Sequence, residues 1–581
     1  MKKLLFGFYI LIQFVSCQPS QEIKNLSKEV RATWPEHLKL LPKIDFEATL
    51  GFTPNKDQIE LGRLLFSDPI LSRNNDVSCA TCHLSNHGFS DGQRLSFGAL
   101  GKGGATGENV GSSWGRGHLT LNRLCDHDGF QFYCDKPMNR NTLSTVNVAF
   151  RANNNEDRGL MWDGRFGKLF HTSILPIMSA REMCGVNPVP IKSNFFSKQG
   201  KLFKESVKVF FATPSDSFSG KDLEGFYSKE KLVEEIPSIR GSGEISKPTK
   251  TECLAIAIAK LRRVKKYKEL FSKAFDDKSI NDKNLGKALA SFVSTHVSRN
   301  TKFDQFVKGK NSLNKEQLFG LAMFLSPAGK VFSFGNREVT GAGCVDCHKP
   351  PLFSDKKFLS LGVKSDSRSD LSQARLIVSK KTNITDVGSR GVKANCYIEN
   401  KTADSQSGYG PDIGRAEVTG RLEDCFKFRV PTLRNVIETY PYFHHGNGLG
   451  QGGQSKNFKE RSEKALLQVI DYHLKGPVNQ GQINSLLGSR RYFDESFLKD
   501  SFVPIELQTF TQSKGVVFPI ILDKEMKLWL LSFVAYGLQD LDSTRIGELG
   551  NDVSHPKRVP SGLKPSITRD FGTQIEEIGG D

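Results

Sequence analysis

The chain has 581 residues, 38% hydrophobic and 25% charged, which reads as a soluble globular protein long enough for two or more domains. Its formal net charge of +18 suits an acidic redox partner or an anionic surface, and reads first as a solvated basic surface. Nowhere do basic residues interleave with aromatics in a block, so a nucleic-acid partner is excluded.

At the N-terminus, Lys2 and Lys3 precede an apolar run from Leu4 to Val15, too short for a membrane span. Ser16-Cys17 follows as a lipoprotein cleavage site, so residues 1–17 are predicted to be a signal peptide with Cys17 acylated. Ordinary signal cleavage nearby is the alternative, and either outcome exports the protein. Residues 18–35 are polar and read as a tether. A short helix is predicted over Ile59 to Leu65, leading into Cys79-Ala80-Thr81-Cys82-His83.

That pentapeptide has a second copy, Cys344-Val345-Asp346-Cys347-His348. Cys-x-x-Cys-His is the attachment sequence of c-type haem: two thiols join the vinyl groups, and the adjacent imidazole ligates the iron. A structural metal site is the alternative. The surroundings repeat too. Gly62, Phe66 and Pro69 precede the first copy, and Gly320, Phe324 and Pro327 precede the second at the same mutual spacing. Phe89-Ser90-Asp91 follows one histidine and Phe353-Ser354-Asp355 the other, so two copies of one structural unit are predicted.

Between the two copies, Gly98 to Gly117 reads as loop and residues 185–250 as a surface insertion. Helical spacing returns at Leu254, Ile258, Leu261, Val264 and Tyr267, and again from Leu285 to His296, where His296 reads as a packed core histidine. The polar run Ser298 to Ser312 marks the junction between an N-terminal domain over 36–300 and a C-terminal domain over 301–546. A second insertion is expected over 366–424, helices over Ser462 to Lys475 and Glu525 to Leu538, and a poorly ordered polar tail over 547–581. Apart from Cys17 and the four motif thiols, six cysteines remain: Cys125, Cys134, Cys184, Cys253, Cys396 and Cys425. In an exported protein they suggest three disulfides whose connectivity the sequence leaves open, with Cys125–Cys134 the local candidate. The fold class is mainly α: two cytochrome c-like domains, each with a c-type haem, and long irregular loop insertions.

The motifs, with Leu61-Gly62-Arg63-Leu64-Leu65-Phe66, Arg140-Asn141-Thr142, Trp162-Asp163-Gly164-Arg165, Glu182-Met183, Pro431-Thr432-Leu433-Arg434-Asn435 and Pro441-Tyr442-Phe443-His444, resemble the bacterial di-haem cytochrome c peroxidase/MauG superfamily. The likeness covers about residues 55–180 and 280–540. It implies that Glu182 is the acid/base at an open haem, that Pro176 lines the distal pocket and that Trp162 sits between the haems. Thr172 stands where the family usually has glutamine. The resemblance further implies a calcium ion at Asn141, Thr439 and Pro441. His473 stands where relatives place the second haem's sixth ligand, a methionine or a tyrosine, so bis-histidine ligation by His348 and His473 is expected, with Tyr472 as the alternative. The interval that carries a removable distal histidine in relatives contains His87, His118 and His127, of which His118 is the best candidate.

The resemblance implies a peroxidase that takes hydrogen peroxide and electrons from a cytochrome c or cupredoxin, periplasmic or held on the outer membrane by its lipid, and it allows a homodimer. A MauG-like oxidase or oxygenase acting on a protein or organic substrate is the second reading. A plain di-haem electron carrier is the third, and the Glu182 context argues against it.

Overall fold

The computed structural model describes residues 19–73, 75, 77–93, 95–96, 98, 140–152, 159–184, 250–359, 361, 414–419, 421, 424, 427–446, 457–475, 520–541 and 547–563. Among these the protein is mainly helical, with two small antiparallel strand pairs. β1 (Val331–Phe334) pairs with β2 (Arg337–Thr340), and β3 (Phe358–Leu359) with β4 (Phe428–Arg429).

Two hydrophobic cores organise the helices. The first gathers α2 (Lys56–Ser67), α3 (Leu169–Met178), α4 (Lys250–Arg263), α5 (Lys265–Ala274) and α6 (Asp282–Ser294). The second gathers α1 (Gln21–Thr33), α7 (Lys302–Val307), α8 (Lys315–Leu325), α9 (Phe458–Lys475) and α10 (Lys524–Ser532). The sequence repeat is physical. α2 starts on a capping box between Asn55 and Gln58, α8 on one between Asn314 and Gln317, and each helix gives out just before a proline, Pro69 or Pro327. A Cβ on Gly62 would lie 2.0 Å from the Ala288 carbonyl oxygen, and one on Gly320 would lie 2.1 Å from that of Trp529. The bare glycines therefore let α2 lie directly on α6, and α8 on α10.

A second part of the repeat holds the loops after the two histidines. Ser144 donates to the Gly88 carbonyl (2.5 Å), as Thr432 does to that of Leu352 (2.6 Å). Three residues on, Asn147 and Asn435 both adopt left-handed backbone, with φ of 61° and 59°. Asparagine tolerates that region better than most residues.

Two expectations need correction. Residues 18–35 are not simply a tether, because α1 buries Leu26 and Val30, with Trp34 behind them, in the second core. The spacing of those three residues is that of one helix face, overlooked among the polar residues around them. Nor is 547–563 a loose tail: it lies across the first core, with Val553 and Val559 buried, while 564–581 lie outside the described residues. Its polarity serves ion pairs and hydrogen bonds to that core, among them Arg63 with Asp552 (3.5 Å) and Ser561 with Asp68 (2.7 Å).

Candidate haem-binding and catalytic site

Both Cys-x-x-Cys-His segments form a single 3-10 turn that ends at the second cysteine. The four thiols are the free cysteines among the described residues. Burial pushes Cys79 and Cys344 up to about 12, and Cys82 also rises well above its ordinary value, so the free thiols rest protonated. Among the described residues, no group of three or more His, Cys, Asp or Glu side chains converges to hold a metal ion.

The histidines are prepared for iron. His83 bonds through Nδ1 to the Phe89 carbonyl (2.9 Å), and His348 does the same to Phe353 (3.1 Å). Each bond leaves Nε2 for a metal and fixes the ring, the usual arrangement for an imidazole ligand. Phe89 and Phe353 adopt φ of 57° and 56° to aim those carbonyls. Burial lowers His83, and burial together with the nearby His473 pushes His348 down to about 4, so both are neutral. Free thiols paired with neutral, oriented imidazoles fit covalent haem at both places.

Glu182 sits in a π-turn, Ala180–Cys184, that follows α3. Pro176 lies inside α3, where it lacks the N–H that the helix ladder needs. Cys184, two residues past Glu182, is tied to Cys253 on α4 by a disulfide. Burial pushes the Glu182 carboxyl up to about 7, partly countered by the Arg165 guanidinium. Its charge in turn raises both Cys79 and Cys82, so the carboxyl lies near the first attachment motif. Arg165 and Arg140 both pair with Asp163, Arg140 at 2.6 Å. Burial alone would raise Asp163, but the two guanidiniums hold it well below the usual carboxylate range. This charge cluster beneath Glu182 was missed from sequence, although Arg140, Asp163 and Arg165 all lie in the quoted motifs.

Trp162 lies at the seam between the two cores. Its Nε1 donates to the Asn141 carbonyl (2.8 Å), and its indole meets His444 edge-on with centroids 6.4 Å apart. His444 stacks on Phe428 (3.6 Å) and His445 (4.7 Å). His445 meets Phe443 (6.3 Å), which stacks on His473 (6.2 Å). A run of rings thus joins Trp162 to α9.

On α9, the exposed His473 bonds through Nδ1 to the Val469 carbonyl (2.7 Å). The Tyr472 hydroxyl is spent on the Leu361 carbonyl (2.7 Å). Asn141 donates its amide to the Pro441 carbonyl (2.5 Å), and its own Oδ1 is buried without a hydrogen-bond partner. The Thr439 hydroxyl turns back to Val436 (3.0 Å). His296 is buried, as expected, stacked on Phe89 at 3.9 Å. Cys17, Cys125, His118, His127, Cys134, Cys396 and Cys425 lie outside the described residues. Among the described residues, no helix is long and apolar enough to cross a membrane.

Two thiol-pair attachment motifs, each with a neutral oriented histidine, and a half-buried carboxyl near one of them are the groups a di-haem redox protein needs. The family model for di-haem cytochrome c peroxidase matches residues 56–215 and 239–312. Over those residues the chain is similar to the bacterial di-haem cytochrome c peroxidase/MauG family. It is 24% identical to the cytochrome c551 peroxidase of Nitrosomonas europaea over 68% of this chain and 70% of that one. It is also 24% identical to the methylamine utilization protein MauG of Methylophilus methylotrophus, over 70% of this chain and 73% of that one. Among solved structures, a MauG-like protein associated with microbial copper homeostasis aligns with TM-score 0.48 at 18% identity, covering 87% of this chain and 96% of that one.

Proposed function

We propose that the protein is an exported di-haem peroxidase that reduces hydrogen peroxide to water with electrons from a small redox protein, a cytochrome c or a cupredoxin. The observation that carries this reading is Glu182, a carboxyl pushed up to about 7 beside the first attachment motif. Cys79, Cys82 and His83 hold one haem; Cys344, Cys347 and His348 hold the other. Haem supplies an iron that can bind peroxide at the first place and store an electron at the second. Glu182 takes the proton from the near peroxide oxygen and returns it to the far one, which leaves as water. Two electrons and two further protons complete the conversion of one peroxide to two waters.

Arg165 keeps Glu182 from rising further, and Asp163 pairs with Arg165 to hold it in place. Pro176 breaks the ladder of α3 ahead of the turn that presents Glu182. Trp162 relays electrons, and the ring contacts through His444, His445 and Phe443 shorten the gaps toward α9. His473 is the residue that would hold the second haem's iron together with His348. Its Nδ1 is engaged and its ring exposed near His348, whereas the Tyr472 hydroxyl is already committed. A calcium ion at Asn141, Thr439 and Pro441 would meet the unpartnered Asn141 Oδ1 and the Pro441 carbonyl, both hard donors. The N-terminal sequence supports export and a lipid anchor at Cys17.

The second reading is a MauG-like oxidase acting on a protein or organic substrate. It is favoured by the lack of any methionine between Cys344 and Met526, because histidine in its place lowers the potential of the second haem. Peroxide turnover with reduced cytochrome c, set against turnover with candidate protein substrates, separates the two. Fast oxidation of the cytochrome supports the peroxidase, and oxidation of the protein substrate alone replaces it.

A further inference from the structure

We propose that residues 547–563 are a strap that fixes the loop carrying His83, with His555 as its positioning residue. The inference starts from a break in the internal symmetry. In the second unit, the loop after His348 is clamped by Arg434, whose Nε donates to the Pro351 carbonyl (2.8 Å). That guanidinium is itself anchored on Asp304 at 2.7 and 2.8 Å, with both side chains buried. By the matched contacts of Ser144 and Thr432, the residue corresponding to Arg434 in the first unit is Val146. The valine side chain offers no donor, so among the described residues the first loop lacks this arginine clamp. It is also one residue longer, because the histidine reaches a carbonyl six residues on rather than five.

The strap supplies the missing grip. The Ser85 amide, two residues past His83, donates to His555 Nε2 (3.0 Å). With Nε2 accepting, the neutral ring carries its proton on Nδ1, which faces the Ser67 hydroxyl at 3.2 Å. His555 therefore joins the end of α2 to the haem loop. Its ring also meets Phe66 (6.3 Å) and Phe89 (6.4 Å), and Phe89 is the residue whose carbonyl orients His83. From its other neighbours, Phe89 is stacked by His296 at 3.9 Å. The rest of the strap is pinned along the same core. Glu548 pairs with Arg299 (2.5 Å), Arg63 holds the Ser554 carbonyl (3.3 Å) and Ser561 holds Asp68 (2.7 Å). A segment anchored at several points and touching the haem loop through His555 is built to position that loop.

The inference rests on His83 as the haem ligand of the proposed function, and its test uses no turnover. His555→Phe keeps an aromatic ring and removes the Nε2 acceptor for Ser85 together with the Nδ1 donor to Ser67. In the holoprotein, amide exchange at Ser85 is expected to quicken on the order of tenfold, the effect of one lost buried hydrogen bond. The iron–histidine stretching band of the first haem should shift or broaden, while the second haem's low-spin signal stays unchanged. His555→Gln restores an acceptor and should return both readouts toward wild type. Wild-type exchange and an unshifted band in His555→Phe would overturn the proposal, as would the same shift in His555→Gln. If His555→Phe does not accumulate, the comparison of His555→Gln with Ser67→Ala decides: the proposal requires Ser67→Ala to loosen Ser85 more. A protein without peroxide turnover that still shows these shifts keeps the strap and loses the peroxidase reading.

Discussion

Replacing Glu182 with glutamine tests the proton chemistry directly. The side chain keeps its size and hydrogen-bonding reach but can no longer take a proton from peroxide. Burial raises this carboxyl from its ordinary 4.5 to about 7. In the wild type, roughly a tenth of the molecules hold the carboxylate at pH 6 and roughly nine-tenths at pH 8. Peroxide turnover should therefore rise through this window. Positioned general acid–base groups contribute about 10²–10⁴ in rate, so Glu182→Gln should lose about that factor at pH 8 and flatten the pH profile. Stability should move the other way. A carboxyl whose folded pKa is raised costs stability as pH climbs from the unfolded value to the folded one. The glutamine removes that cost, at most about 3 kcal/mol at pH 8 and none below pH 4. Steady-state turnover across pH 5.5 to 8.5 and denaturant melts at its two ends provide the data, on the order of one pH unit either side of the transition. Undiminished turnover, or a pH rise that survives in the variant, would remove Glu182 from the mechanism.

Three further outcomes follow from the packing. Arg434→Leu strands Asp304 in the core and should cost about 3–5 kcal/mol, read as a lower urea midpoint. Burial would raise Asp304, but hydrogen bonding to Arg434 and its charge hold it below the usual range, so this pair's stability is present above about pH 4 and fades below it; the variant should lose that acid limb. Cys184→Ser opens the bond to Cys253 beside Glu182; it should lower stability by about 2–4 kcal/mol and reduce turnover while both haems stay attached, as a reductant should in the wild type. Gly62→Ala drives a methyl group into the Ala288 carbonyl and should destabilise by about 1–3 kcal/mol, visible as a lower Tm.

What could be read from sequence was what is local or repeated. The paired Cys-x-x-Cys-His motifs, with Gly62, Phe66 and Pro69 echoed by Gly320, Phe324 and Pro327, announced two units because every element sits within a few turns of its motif. Glu182 was put forward by resemblance, at the family's spacing from Trp162, and its raised affinity for protons comes from desolvation that no spacing reports. The strap stayed hidden because His555 meets Ser85 across 470 residues of chain and looks, in sequence, like any histidine in a polar tail. The Arg434–Asp304 pair escaped for the same reason, with 130 residues between partners. The α1 helix was lost to composition: its three apolar anchors are outnumbered by charged neighbours, and only the second core gives them a place to go.

The most direct test of the whole account is the intact mass of the protein made in a host competent for cytochrome maturation, followed by peptide mapping. The account predicts the processed polypeptide plus two haem groups, one on the peptide with Cys79 and Cys82 and one on the peptide with Cys344 and Cys347. A mass equal to the bare polypeptide, or a haem on one motif alone, would contradict it.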